Sequence, residues 1–400
     1  MGQKISFGYA ILLAACLGLL TSCTPHYPNA ANNQVFRAFE NPSTVSEQRI
    51  ALLLPLEGMF AKQAGAICNG FLAAYYQAKQ KGPVPTLIVL NTGGKNINNV
   101  YQDAIQQGAT IIVGPLIKNN LATLINSHEI TIPTLALNTL LSHSNASNLF
   151  QFSLSPIDEA TTAAIKMRND QHNRAIIITP SGEWGSSIAK AFQTQWASLG
   201  GQTTAQLVYG NNASLNNDIR RLLNIDKSEQ REHQLRRLFQ EKIRFIPRRR
   251  KDFDAIFIVA NANQIRQIVP LLRFYYAGDI PIYATSSGYS PSSRPSENYD
   301  IEGIQFSDMP WVLTPEQLSP SLQQTRERIR ALWPHSFERN TRLYALGVDA
   351  YNMLFELPKL TSIPQYGMNG AAGTLYLLST QRIYRQLLWA KIINGQLQSE

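Results

Sequence analysis

The chain has 400 residues, 44% of them apolar and only 16% charged, which is too hydrophobic for intrinsic disorder and long enough for two domains or lobes. Its 24 Gly and 21 Pro are ordinary counts and exclude a collagenous or low-complexity chain, while three cysteines are too few for a disulfide-stapled or zinc-ribbon scaffold. Lys plus Arg outnumber Asp plus Glu by 36 to 27, and a net charge of +9 suits an anionic partner: nucleic acid, an acidic membrane or wall, or an acidic protein face.

At the N-terminus, Lys4 precedes an apolar run from Phe7 to Leu20 that is shorter than a bilayer-spanning helix needs. A charged start, an apolar middle and small residues read as a secretory signal over residues 1–22. The stretch Leu20-Thr21-Ser22-Cys23 resembles a bacterial lipobox. That resemblance implies cleavage before Cys23 and acylation of its thiol and new amine, each buried methylene adding about 0.8 kcal/mol of membrane affinity. An ordinary signal peptide with an accidental cysteine is the alternative. Thr24, where Asp would retain the chain at the inner membrane, implies by the same likeness sorting to the outer membrane of a Gram-negative cell. Export leaves no nucleic acid as partner. Residues 23–48 then comprise the lipidated cysteine and a polar tether rich in Asn, Ser and Pro. After processing only Cys68 remains unmodified, so no intramolecular disulfide can form, and its helical-looking context reads as a small buried side chain.

From residue 49 onward short apolar runs alternate with helical text. Strands are expected at Ile50 to Leu54, Thr86 to Leu90, Thr110 to Val113 and Pro133 to Leu137, with helices up to Lys81, from Val100 to Gln107 and from Lys118 to Ser127. Continuous apolar strands separated by amphipathic helices indicate a parallel sheet covered on both faces. The pattern restarts at Pro156, with strands at Ala175 to Thr179, Ala205 to Tyr209, Ala255 to Ala260 and Ile280 to Ala284, and helices at about Glu183 to Leu199 and Asn263 to Tyr276. Two successive α/β lobes follow: one of about 49–155 plus part of 285–357, the other of about 156–284 plus about 358–393, together forming the module 49–400.

One segment carries most of the net charge. Between Arg220 and Lys251 stand twelve Lys or Arg and four acids, +8 in all. It reads as a helix to about Gln240, followed by Arg248-Arg249-Arg250-Lys251 just before a strand, a position that predicts exposure. Arg236, Arg237, Arg248, Arg249, Arg250 and Lys251 are candidates for docking an acidic surface, the alternative being a solvated face.

Catalytic patterns are missing. None of the six histidines is paired at metal-ligand spacing, so no metal is expected. No Gly-x-Ser-x-Gly elbow occurs, Asn91-Thr92-Gly93-Gly94-Lys95 lacks the remaining residues of a phosphate cradle, and no carboxylate pair can be assigned by spacing. The expectation is a protein that is not an enzyme and needs no cofactor.

Ile50-Ala51-Leu52-Leu53-Leu54-Pro55-Leu56-Glu57-Gly58, Gly70-Phe71-Leu72-Ala73-Ala74-Tyr75-Tyr76 and Ile112-Val113-Gly114-Pro115-Leu116 resemble the opening of type I periplasmic binding proteins. Further along, Pro247-Arg248-Arg249-Arg250-Lys251-Asp252-Phe253-Asp254, Leu272-Arg273-Phe274-Tyr275-Tyr276-Ala277-Gly278-Asp279 and Tyr344-Ala345-Leu346-Gly347-Val348-Asp349-Ala350-Tyr351 are similar to the C-terminal domain of the LpoA-type lipoprotein activators of class A penicillin-binding proteins. Gly370-Ala371-Ala372-Gly373 and Arg382-Ile383-Tyr384-Arg385-Gln386-Leu387-Leu388-Trp389-Ala390 extend the likeness to about residue 393. Such a family implies a two-lobed module that docks on a bifunctional peptidoglycan synthase. Its members commonly carry a helical-repeat domain between lipid and module, whereas here residues 24–48 make the connection, at most about 85 Å fully stretched and about 25–30 Å relaxed.

Two functions are compatible with these readings. An activator needs only differential affinity for two states of its partner. A periplasmic solute receptor would instead close on a small ligand, such as an amino acid or wall fragment, at the strand carboxyl ends. The cleft candidates there are Glu57, Gly58, Met59, Gly114, Pro115, Asn138, Glu183, Trp184 and Ser286, against a purely geometric role in loops for each.

Overall fold

The computed structural model describes residues 45–140, 148–210, 214–239, 244–291, 293–363 and 365–400. Cys23, the signal segment and the tether up to residue 44 lie outside the described residues.

A first sheet comprises β1 (Arg49–Leu54), β2 (Thr86–Asn91), β3 (Ile111–Val113), β4 (Thr134–Ala136) and β5 (Leu149–Gln151), all parallel in the order β2-β1-β3-β4-β5. The connecting helices are α1 (Ala61–Lys79), α2 (Ile97–Gln106) and α3 (Lys118–Ser127). Strand periodicity explains the apolar run of β1. Ile50, Leu52 and Leu54 enter one core with Ile67 and Phe71 of α1, while Ala51 and Leu53 enter another with Val100 and Tyr101 of α2. Asn96 caps α2, its Oδ1 accepting from the N–H groups of Asn98 and Asn99 at 2.9 and 3.4 Å.

The second lobe runs through α4 (Pro156–Asn169), β6 (Arg174–Pro180), α5 (Glu183–Ser198), β7 (Gln202–Tyr209), α6 (Leu215–Leu222), α7 (Ile225–Phe239), β8 (Ala255–Ile258), α8 (Ala262–Phe274), β9 (Ile282–Ala284) and β10 (Ile304–Asp308). There follow α9 (Pro320–Leu332), α10 (Pro334–Ser362), β11 (Met368–Asn369), β12 (Thr374–Leu377), β13 (Ile383–Gln386), β14 (Leu388–Ile393) and β15 (Gln396–Ser399). The second sheet has the order β15-β14-β10-β9-β8-β6-β7, parallel from β10 to β7 with an antiparallel edge at β14 and β15. Ile176 and Ile178 face the core under α8, and Ala175 and Ile177 the core under α4 and α5.

The later chain divides between the lobes in a way that apolar runs alone do not foretell. Strand β10, within 285–357, pairs with β9 in the second sheet. Helices α9 and α10 pack on α1, and the small antiparallel sheet β11-β12-β13 follows them into the first core through Leu375 and Ile383. Of the described residues in 358–393, only β14 joins the second lobe. Gln386 ends β13 in one lobe and Leu388 begins β14 in the other, so Leu387 is the turning point. With the passages at Phe152–Pro156 and Asp308–Leu313, the chain crosses between lobes three times among the described residues.

Asp349 of α10 explains why the 370–373 loop stays with the first lobe. The carboxylate is fully buried and accepts from the N–H groups of Ala371 (2.8 Å) and Ala372 (2.6 Å). Gly370 is required beside it, because a Cβ there would lie 2.6 Å from Oδ2. Burial pushes the Asp349 carboxyl up to about 7, against the two N–H groups and Arg385. A carboxyl raised in the fold favours the native state most below its ordinary value of 3.8, and that contribution is lost as pH rises through about 7. Thermal stability measured between pH 4 and 8 should therefore fall with rising pH, and Asp349→Asn should flatten that part of the profile. An unchanged slope in the variant would assign the titration to other buried carboxyls.

Candidate functional site: the inter-lobe cleft and a basic face

The carboxyl ends of the strands of both lobes face a cleft made of two adjoining cavities, about 800 and about 600 Å³ in volume, which share Leu154, Pro156, Trp184 and Leu343. Asn138, Glu183 and Trp184 line the larger, and Trp184 and Ser286 the smaller. The structure thus brings four of the nine cleft candidates together. Trp184 is half-exposed at the start of α5, where Gly185 lets the helix approach Pro180 O, a contact that would leave a Cβ only 2.1 Å from that oxygen. Asn138 is committed internally: its Nδ2 donates to Leu116 O (2.8 Å) and its Oδ1 accepts from Thr139 N (2.8 Å).

The other five candidates do not line these cavities. Glu57, Gly58 and Met59 form an exposed turn after β1, and Gly114 and Pro115 are buried. Gly114 has φ +112° and a Cβ there would meet Leu53 O at 2.2 Å, while Pro115 O accepts from Leu137 N. These two residues join β3 to its neighbours on both sides, a geometric role.

Ser286 leads to a cluster of charges that its isolated position in the sequence does not reveal. Its N–H and Oγ donate to Glu159 Oε2 and Oε1 at 2.9 and 3.0 Å. Glu159 stands 3.6 Å from Arg385 of β13, and Asp158 is 3.3 Å from Arg382. Burial pushes both carboxyls up, although the arginines pull them down. Arg342 of α10 spans the lobes: Nε donates to Asp308 Oδ1 and Oδ2 (3.1 and 3.0 Å), and Nη2 donates to Asp308 Oδ2 (2.5 Å), Ser286 O (3.0 Å) and Tyr289 O (3.1 Å). Burial opposes its charge, yet Asp308 holds its pKa above the usual value. The cluster fastens α10, on the first core, to α4, β10 and the loop after β9, on the second.

Among the described residues no group of three His, Cys, Asp or Glu could hold a metal ion. No helix among them is long and apolar enough to cross a membrane. Cys68 is buried and its thiol pKa is raised by that burial, so it is a poor nucleophile.

The basic segment divides into tied and open parts, which corrects the expectation that the whole run before β8 is exposed. Arg249 forks onto Asp279 (3.0 and 2.8 Å) and donates to Tyr276 O (2.6 Å). Arg250 binds Asp252 through Nε and Nη2 (2.6 and 2.5 Å) and Thr204 O (3.3 Å), and its backbone N–H reaches Leu223 O. Both side chains are mostly covered. Arg236 is paired with Glu232. Arg237, Arg248 and Lys251 are exposed. Reversing Arg249 or Arg250 to Glu sets a carboxylate against Asp279 or Asp252 and is expected to cost about 1–3 kcal/mol, whereas reversing Arg237 should leave stability within about 0.5 kcal/mol. Denaturant midpoints of the three variants check this, and equal midpoints would contradict it.

Two α/β lobes, three crossovers and a cleft at the strand carboxyl ends define a type I periplasmic-binding-protein-like module. The chain belongs to the family described as "LppC putative lipoprotein", whose model matches residues 23–395. It is 32% identical over 352 residues to the penicillin-binding protein activator LpoA of Vibrio antiquarius (strain Ex25), covering 87% of this chain and 57% of that protein. The chain thus spans little more than half the length of that relative. Among solved structures it is similar to the LpoA (YraM) C-domain from Haemophilus influenzae, a regulator of PBP1A, with a TM-score of 0.68, 24% identity and coverage of 88% of this chain and 100% of that one. An ABC transporter substrate-binding protein from Sphaerobacter thermophilus also matches, with a TM-score of 0.59, 16% identity and coverage of 88% and 96%. At such identities the two structures bear on the fold.

Proposed function

We propose that this chain is a non-enzymatic lipoprotein that binds a bifunctional class A penicillin-binding protein and favours its active conformation, so regulating peptidoglycan synthesis. The likeness to the Vibrio activator, extending over 87% of this chain, carries the reading. The geometry supports it: the Arg342 and Glu159 cluster fastens the lobes to each other, and an activator does not need them to close on a solute. Capture of a detergent-solubilised class A synthase by the soluble module, residues 49 onward, tests the proposal; a module that retains none of it would refute the reading.

Anchoring is part of the same proposal. Cys23 in its lipobox-like context would carry the acyl chains and hold the module at the periplasmic face of the outer membrane. Cys23→Ala should leave the protein uncleaved or soluble in the periplasm, and normal outer-membrane fractionation of that variant would refute the anchor. A solute receptor is the second reading, favoured by the cleft volume and the half-exposed Trp184. It requires a melting shift with an amino acid or wall fragment, and the activator does not.

A further inference from the structure

Two buried polar groups that line the smaller cavity lack hydrogen-bond partners, and they come from different elements of the first lobe. Arg385 of β13 is 2% exposed, yet neither its Nε nor its Nη2 finds an acceptor among the described residues. Thr341 of α10 is 5% exposed, and its Oγ1 is likewise unpartnered. Both residues line the cavity of about 600 Å³. Glu159 balances the charge of Arg385 without filling those donors. Its Oε1 lies 3.6 Å from Nη2, too long for a hydrogen bond, and its two oxygens already accept from Ser286. Nε and Nη2 form the side-on edge of a guanidinium, the edge with which Arg342 holds Asp308 at 3.0 and 2.5 Å. In Arg342 that edge is full; in Arg385 it is empty.

We infer that the empty Arg385 edge, together with Thr341 Oγ1, is a binding site for a small carboxylate with an apolar body. Buried donors of a charged group are costly to leave unmade, and a planar guanidinium fork is matched bidentately by a carboxylate. Among the charged side chains lining the cavity, Arg339, Arg342 and Arg385 outnumber Glu159 and Glu338, which favours an anion. The remaining wall includes Leu154, Pro156, Trp184, Met309 and Leu343, which suit a hydrocarbon body better than a second charge. Both orphan donors are covered in this arrangement of the lobes, so the ligand gains them by pushing Glu159 Oε1 aside. The groups that hold it stand on β13 and α10, apart from the loops at the strand carboxyl ends where a solute receptor would grip its ligand. The site goes beyond the proposed function and stands or falls independently of it.

The test measures binding of hexanoate to the purified full chain by calorimetry and by melting temperature. Hexanamide serves as the uncharged analogue and inorganic phosphate as an oxyanion without a body. Arg385→Lys keeps the charge but offers no planar fork, and Thr341→Val removes only the unpartnered hydroxyl. The inference predicts saturable hexanoate binding, weakened at least about tenfold by Arg385→Lys and at least about threefold by Thr341→Val, with no binding of hexanamide. Thr341→Val should melt at the wild-type temperature or above it, since it removes an unsatisfied buried group, so it carries the test even if Arg385→Lys does not fold. No saturable binding of hexanoate would overturn the site, and so would equal binding of hexanamide. Hexanoate bound as tightly by both variants as by the wild type would place the ligand in the larger cavity and refute the role of Arg385. Phosphate bound as tightly as hexanoate, with the same losses in the variants, would make this a site for a bare oxyanion and refute the carboxylate with its apolar body.

Discussion

Gly347→Val is expected to prevent the first lobe from folding, with Gly347→Ala costing about 3 kcal/mol or more. The reason is the crossing of α1 and α10, which pack backbone to backbone. A Cβ on Gly347 would lie 2.1 Å from Ile67 O and 2.8 Å from Phe71 N, and a Cβ on Gly70 would lie 2.3 Å from Tyr344 O. The atoms in the way belong to helix backbones, not to flexible side-chain ends, so relief requires the helices to separate. Separation strips contacts from the largest core, where Phe71, Tyr75 and Tyr351 stack edge to face at 5.3 and 5.9 Å. If one alanine already parts the helices, the second costs little. The Gly70→Ala/Gly347→Ala pair should then fall well short of the sum of its single losses. Gly65, also on α1 but with nothing within 4 Å of its Cβ direction, is the control. Gly65→Ala should stabilise by about 0.5–1 kcal/mol through helix propensity alone. Chemical denaturation of the set checks the account, and a neutral Gly347→Ala would contradict it.

Arg342→Ala is expected to cost about 3 kcal/mol, somewhat below the usual figure for breaking a buried pair because a quarter of the Arg342 side chain is exposed. Asp308 is 1% exposed, and without the guanidinium its carboxylate keeps only the donation from Met309 N at 2.8 Å. The carbonyls of Ser286 and Tyr289 lose a donor as well. Because the bonds run between lobes, the loss should appear first in their docking. Hydrogen exchange of the segments around Ser286 and Asp308 should rise more than that of β1 or β6. Arg342→Ala/Asp308→Asn should recover part of the stability, since it removes the stranded charge. No recovery in the double variant would contradict the assignment.

Much of the fold is legible in the residues themselves. Ile50 to Leu54 and Ala175 to Ile178 are unbroken apolar runs because both faces of their sheets are covered, and a central strand cannot be written otherwise. Short strands and late pairings are less visible. Leu149–Gln151 contributes only three residues to its edge, and the split at Leu387 falls between Gln386 and Leu388 with no Gly or Pro beside it, so no turn signal marks where the chain changes lobe. Asn138, Glu183, Trp184 and Ser286 could be put forward for the cleft because they follow strand carboxyl ends, which in this architecture face one another; Glu183 and Trp184 open α5, while Asn138 and Ser286 lie in the connections after β4 and β9. Sequence position did not reveal Glu159, Arg342, Asp308 and Arg385, which are far apart in sequence and meet only through packing. One signal was available: Arg385 alternates with Ile383 on the inward side of β13, and an arginine at an inward register has to be paired with an acid. In the basic segment, charge density was readable, but which arginines were tied was not. Asp252 stands two residues from Arg250, while Asp279 reaches Arg249 only in the fold.

The most direct measurement of the central claim is the rate of glycan polymerisation and cross-linking by a purified class A synthase, with and without saturating soluble module. An activator that favours the active conformation should raise the rate of at least one of the two reactions severalfold. It should do so with no added small ligand, and with no turnover by the module alone. An unchanged rate at saturation, together with a ligand-dependent melting shift of the module, would contradict the account and identify the cleft as the working site.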